Sequence, residues 1–169
     1  MEVIKQIMEE VDNISLSIDD IVNTLVSTYC TELDDFMLLV KRMLEDSATK
    51  PTDEELEVIV LKLPTILYFI SEAIETLSIR EEAAKILKLE KYSMAHKEHS
   101  GKISEKNIFA ELSTSEYTLT QLCYQKAAKK IKNKLDAAYE QINSVKKILS
   151  KRFLDMQLTA NDRGGRYFE

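Results

Sequence analysis

Glycine and proline are almost missing from this chain, 3 and 2 of 169 residues. With so few turn formers, turns must be rare and secondary-structure elements long. Only two cysteines are present, Cys30 and Cys123, and no CxxC, so the spacings of zinc sites are absent. Both lie in apolar helical contexts and are expected to be buried, reduced thiols. The two histidines fall together in His96-Lys97-Glu98-His99, and two imidazoles three residues apart do not complete a metal site. No metal and no cofactor is expected. No stretch approaches 18 uninterrupted apolar residues, so no transmembrane helix is expected. The start, Met1-Glu2-Val3-Ile4-Lys5, lacks the basic-then-apolar layout of a signal peptide, which makes cytoplasmic the default location. A Gly-rich phosphate loop, GxSxG and HExxH are all absent, and the expectation is a non-enzymatic protein.

What is abundant is helical pattern. The stretch from Ser113 to about Leu158 holds no Gly and no Pro, and opens with the capping-box sequence Ser113-Thr114-Ser115-Glu116. Ala128, Ile131, Leu135, Ala138, Ile142, Val145 and Leu149 then recur at alternating three- and four-residue spacings, a heptad seam. At 1.5 Å per residue such a helix is roughly 65 Å long. The large aliphatics Ile131, Leu135, Ile142, Val145 and Leu149 are the candidate oligomerisation residues, because a long helix with little partner surface leaves apolar area exposed.

Upstream, residues 2–12 read as a short amphipathic helix with Ile4, Ile7, Met8 and Val11 on one face. A break is expected over Asn13 to Leu16, and Ser17-Ile18-Asp19-Asp20 reads as the start of a second helix running to about Ser47. Thr52 and Glu55 form another cap pair. The apolar run that follows is expected to break or kink at Pro64. Helical pattern resumes at Thr65 and lasts to about His99, where Ser100-Gly101 closes it. Lys102 to Leu112 is a connection whose Ile103, Ile108, Phe109 and Leu112 are apolar enough to pack. The tail from Thr159, with its Arg163-Gly164-Gly165-Arg166 run, has no period and reads as flexible. The expected fold is all-α and coiled-coil-like: a long antiparallel hairpin, residues 63–158, with acidic N-terminal helices, residues 1–62, in one domain over 1–158, followed by a flexible tail over 159–169.

The net charge of −6 hides an asymmetry of −11 over residues 1–80 against +5 over residues 81–169. Lys126, Lys129, Lys130, Lys132, Lys134, Lys146, Lys147, Lys151 and Arg152 stand against only Asp136 and Glu140. At 100° per residue Lys126, Lys129, Lys130, Lys147 and Lys151 gather on the face away from the seam. Such a face can neutralise phosphates and release counterions, or it can be solvated or paired with the acidic helices. Tyr117, Tyr124 and Tyr139 can stack on bases or fill a core.

Leu63-Pro64-Thr65-Ile66-Leu67-Tyr68-Phe69-Ile70 and Glu82-Ala83-Ala84-Lys85-Ile86-Leu87-Lys88-Leu89-Glu90-Lys91-Tyr92 are followed by a polar connection with Ser100-Gly101-Lys102. A return helix then ends in Ile148-Leu149-Ser150-Lys151-Arg152. In this layout residues 63–152 resemble the UvsY-like recombination mediators of tailed bacteriophages. The resemblance implies a helical hairpin, basic before the connection, whose second long helix oligomerises. It implies a mediator that loads a recombinase onto single-stranded DNA coated by a single-strand-binding protein, in the host cytoplasm if phage-encoded. It places DNA contacts near Lys85, Lys88 and Lys91, where this chain also carries Glu81, Glu82 and Glu90. Residues 1–62 are longer and more acidic than the family layout, and the pI is about 5.1. Three functions follow as expectations: a homo-oligomeric mediator binding single-stranded DNA and partner recombination proteins, a structural or adaptor protein of phage assembly or tail that binds only protein, and an acidic inhibitor mimicking DNA with residues 1–62.

Overall fold

The computed structural model describes residues 2–45 and 50–164, and among them there are four helices and no strand. These are α1 (Glu2–Glu45), α2 (Asp53–Glu98), α3 (Ile103–Ser113) and α4 (Ser115–Gly164). The all-α fold expected from the periodicity is therefore present, and the long helices pack against one another.

The break expected over Asn13 to Leu16 does not exist: α1 is continuous. Ser17 starts nothing. Its hydroxyl donates to the Asn13 carbonyl at 3.0 Å, and Thr24 and Thr28 do the same to Asp20 and Thr24 at 2.8 and 2.9 Å. A hydroxyl that bonds back one turn is satisfied inside a helix, and with no Gly or Pro in residues 2–45 nothing interrupts the ladder.

The cap at α2 forms as its spacing predicts. The Thr52 N–H donates to Glu55 Oε2 at 2.8 Å and the Glu55 N–H donates to Thr52 Oγ1 at 3.2 Å, the two halves of a capping box. Pro64, in contrast, does not break the helix; α2 runs through it. Its ring leaves the Val60 carbonyl without the usual donor. Leu56, Ile59, Leu63, Ile66 and Leu67 on either side are all buried. Each such side chain contributes about 1.5–3 kcal/mol of burial, enough to outweigh the ~3 kcal/mol a helical proline costs. Pro64 itself is exposed. Pro64→Ala is accordingly expected to raise stability by about 1–3 kcal/mol, read as a Tm increase of roughly 3–10 °C in thermal unfolding; an unchanged or lower Tm would show that the proline ring is needed where it stands.

The connection after α2 is a helix of its own. Gly101 has no left-handed backbone, so it does not close α2 in the expected way. A Cβ there would lie 2.5 Å from Glu105 Oε2, the atom that accepts the Lys102 N–H at 3.2 Å and starts α3. The apolar residues of this segment do not pack inward: Ile103, Ile108, Phe109 and Leu112 are exposed, Ile103 at 74%. Ala110 is the residue α3 buries.

The helix start expected at Ser113 falls two residues later, at Ser115, and Ser113 is not its cap. Ser113 ends α3 and its hydroxyl donates to the Phe109 carbonyl at 2.7 Å. The junction is Thr114, buried to 2% exposure. Its hydroxyl lies 3.0 and 3.1 Å from the Ala110 and Glu111 carbonyls, and its own carbonyl accepts the Thr118 N–H at 3.1 Å. Residues 159–164, expected to be flexible, belong to α4; the remainder of the tail, Gly165 to Glu169, lies outside the described residues.

The chain divides into two compact units, one made of Met1–Cys30 and Ile70–Asn133, the other of Thr31–Phe69 and Lys134–Glu169. No boundary falls at residues 62 and 63, where α2 is uninterrupted; each unit instead takes one part of α1, of α2 and of α4. The first unit buries Val22, Val26, Ala73, Leu77, Cys123, Ala127 and Ile131, and the second buries Leu33, Val40, Leu56, Leu63, Leu67, Leu135, Ala138, Ile142 and Val145. The heptad seam thus supplies α4's share of the second core, but in the first only Ile131 belongs to it: Cys123 and Ala127 are buried there, and the expected Ala128 is half-buried.

Candidate nucleic-acid interface

In the first unit the α1 and α4 segments leave an open groove of about 470 Å³. Lys126, Lys129, Lys130 and Asn133 line it from α4, one and two turns apart on the face the periodicity selects. Ser15, Ile18, Asp19 and Val22 line it from α1. The three lysines are exposed. Lys126 and Lys129 form no ion pair among the described residues, and Lys130 Nζ donates to the neutral Asn23 amide oxygen at 2.7 Å. Asp19 is the one carboxylate on the lining, so three ammonium groups face a single acid. A lysine ammonium is a mobile point charge with three donors and reads charge and distance rather than base identity.

The other candidate lysines do not join this groove. Lys85, Lys88 and Lys91 belong to α2 of the same unit and line no part of it; Lys85 pairs with Glu82 on its own helix at 3.6 Å, both ends exposed. Lys147 and Lys151 belong to the second unit and are exposed there. Two other members of the basic set are paired with acidic helices. Lys134 bonds Asp34 of α1. Arg152 donates to Asp53 Oδ1 at 2.6 Å and to the Pro51 carbonyl at 2.8 Å, closing α4 onto the start of α2.

The seam residues named for oligomerisation are occupied inside the chain. Ile131, Leu135, Ile142 and Val145 are buried and Leu149 is half-buried without any second copy. The tyrosines named for stacking do not line the groove; Tyr117 and Tyr124 are half-buried and Tyr139 is exposed. The α1 wall is not foreseen in the sequence, because Ser15 falls in the expected break and Asp19 in the expected cap. Their spacing of four residues was the available signal, since it places them on one side of an unbroken helix.

His96 stacks on Tyr92 and His99 on Phe109, with ring centroids 6.2 and 4.8 Å apart. No group of three or more His, Cys, Asp or Glu side chains able to hold a metal occurs among the described residues. Nor is any described helix long and apolar enough to cross a membrane. Cys30 and Cys123 are both buried, and burial pushes the Cys123 thiol up from its ordinary value. A raised thiol pKa depletes the reactive thiolate. Iodoacetamide at pH 8 is therefore expected to leave both cysteines of the native protein unmodified over a period that fully alkylates a denatured control, as read by intact mass; rapid native alkylation would contradict the burial.

Compared with known protein families, with curated proteins and with solved structures, the chain has no match.

Proposed function

We propose that this chain is a non-enzymatic accessory protein that binds single-stranded DNA through the lysine-lined groove of its first unit, self-associates, and acts beside a recombinase or single-strand-binding protein as a recombination mediator. The observation that carries the reading is the state of Lys126, Lys129 and Lys130: they converge on one groove and none forms an ion pair among the described residues, although the chain is acidic overall. Unpaired ammonium groups on a protein of net charge −6 form a local basic patch, and such a patch binds phosphates despite the overall sign. The layout shared with the UvsY-like mediators supports the assignment to recombination. The test is fluorescence anisotropy of a labelled single-stranded oligonucleotide over a range of salt, for wild type and a Lys126→Ala/Lys129→Ala/Lys130→Ala variant.

A second reading is favoured by a separate observation. Ile4, Ile7, Met8, Val11 and Ile14 of α1, Tyr68, Phe69, Ile79 and Leu89 of α2 and Phe153, Leu154, Met156 and Leu158 of α4 are all exposed. Stripes of large apolar side chains on helices mark protein contacts. A helical adaptor that binds only protein, in phage assembly or a tail, is the reading that remains if no DNA binding is found at low salt.

A further inference from the structure

The second unit holds a groove of about 690 Å³ between its parts of α1 and α2. Phe36 and Leu39 of α1 and Val58 and Leu61 of α2 form an apolar lining, and Glu32 and Asp35 stand at its α1 side with Lys62 as the lone opposing cation. Leu61 is 72% exposed although it sits in this lining. Along α1 the order is acid, acid, apolar, apolar: Glu32, Asp35, Phe36, Leu39.

The end of α4 carries the complementary order. Lys147, Lys151, Leu154 and Leu158 follow at four-, three- and four-residue spacings, one stripe of the helix, and all four are exposed, Leu158 at 68%. Two cations precede two leucines, as two acids precede two apolar residues in the groove. Among the described residues Arg152 is the last of α4 to bond another helix, and the exposed residues beyond it lie past that anchor.

We propose that residues 147–158 of a second copy of this chain dock in this groove, running parallel to α1, with Lys147 and Lys151 against Glu32 and Asp35 and with Leu154 and Leu158 over Phe36, Leu39, Val58 and Leu61. The proposal deepens the self-association in the reading above and is independent of its DNA-binding part. It also accounts for two basic side chains, Lys147 and Lys151, that lie outside the lysine groove of the first unit. Because the groove and the docking helix end are different surfaces, the contact is heterologous rather than self-complementary.

That asymmetry gives the test, using the full chain and light scattering coupled to size exclusion. Wild type is expected to run above the 19.4 kDa of one chain. Leu61→Asp blocks the groove and Leu158→Asp blocks the helix end, and each variant alone is expected to run as a single chain with unchanged far-UV dichroism, both positions being exposed. Mixed together, the two variants are expected to form a two-chain complex, because the intact groove of one meets the intact helix end of the other. Glu32→Lys/Asp35→Lys and Lys147→Glu/Lys151→Glu are each expected to weaken assembly tenfold or more, and their combination in one chain to restore it. This charge arm decides the matter if either aspartate variant fails to fold. Assembly of Leu61→Asp or Leu158→Asp at wild-type mass, with no restoration by the combined reversal, overturns the groove while leaving self-association standing. A wild type that stays a single chain at every concentration overturns both, and neither result bears on the anisotropy titration of the lysine groove.

Discussion

A labelled single-stranded oligonucleotide is expected to bind the wild-type chain with an affinity that falls steeply with salt, and the Lys126→Ala/Lys129→Ala/Lys130→Ala variant to bind about 10²–10³-fold more weakly at about 50 mM salt. The size of the effect follows from counterion release. Each phosphate contact on a single strand contributes a slope of about −0.7 in log K against log salt, so three lost contacts flatten the slope by roughly 2. Extrapolated from molar salt to about 50 mM, a slope change of that size amounts to between two and three decades of affinity. The loss is expected to be equal for all oligonucleotide sequences, because a lysine on phosphate carries no base readout. Stability is expected to change little, since none of the three lysines forms an ion pair among the described residues. A solvated face with no ligand predicts the reverse pattern: no binding at any salt, for either protein. Absence of wild-type binding at low salt would discard the mediator reading and leave the helical adaptor.

Ile142→Asp is expected to unfold the chain rather than merely separate copies of it. Ile142 is buried at 4% exposure within a single chain, on the seam between the buried Ala138 and Val145. The substitution removes a large aliphatic side chain, a loss of about 2–5 kcal/mol by itself. It also places a carboxylate where no cation is paired to receive it, a burial that adds several kcal/mol more. The sum is comparable to the whole stability of an ordinary domain, about 5–15 kcal/mol. The expected result is loss of the cooperative thermal transition and of most far-UV helical signal at 37 °C. A well-folded Ile142→Asp protein of reduced mass would show instead that α4's seam is covered by a second copy.

Several features of this fold can be read directly from residues. The scarcity of Gly and Pro implied long helices, and the three-four spacing along Ile131, Leu135, Ile142 and Val145 marked the face of α4 that is buried. The Thr52–Glu55 box was legible because a cap is a local device, complete within four residues. The same local reasoning failed at Ser17 and at Pro64, while at Ser113 it located the boundary but not the bond that makes it. Each carries a genuine local preference for a helix boundary. At Ser17 a bond back to the carbonyl one turn earlier removes that preference, and at Pro64 burial of the neighbouring leucines outweighs it. Ile103, Ile108 and Leu112 were misjudged for a related reason: hydrophobicity shows that a residue can be buried, not that a partner is within reach.

The candidate site divides along the same line. That Lys126, Lys129 and Lys130 share a helix face follows from 100° per residue and needs no tertiary information. Which lysines remain unpaired does not follow from spacing. Lys134 and Arg152 lie in the same basic set, yet the fold sets Asp34 and Asp53 against them, residues about a hundred positions away in sequence. It sets the neutral Asn23 against Lys130 and leaves Lys126 and Lys129 without an ion pair among the described residues. By itself, then, the sequence determined an all-α chain, the buried stripe of α4 and the position of its cations, because helical period and side-chain chemistry are local. The tertiary structure decided that the stripe is covered within the chain, that the helices ignore two boundary signals, and which cations stand without an ion pair among the described residues. Those outcomes depend on non-local contacts, and burial and ion pairing act only between groups that the fold has brought together.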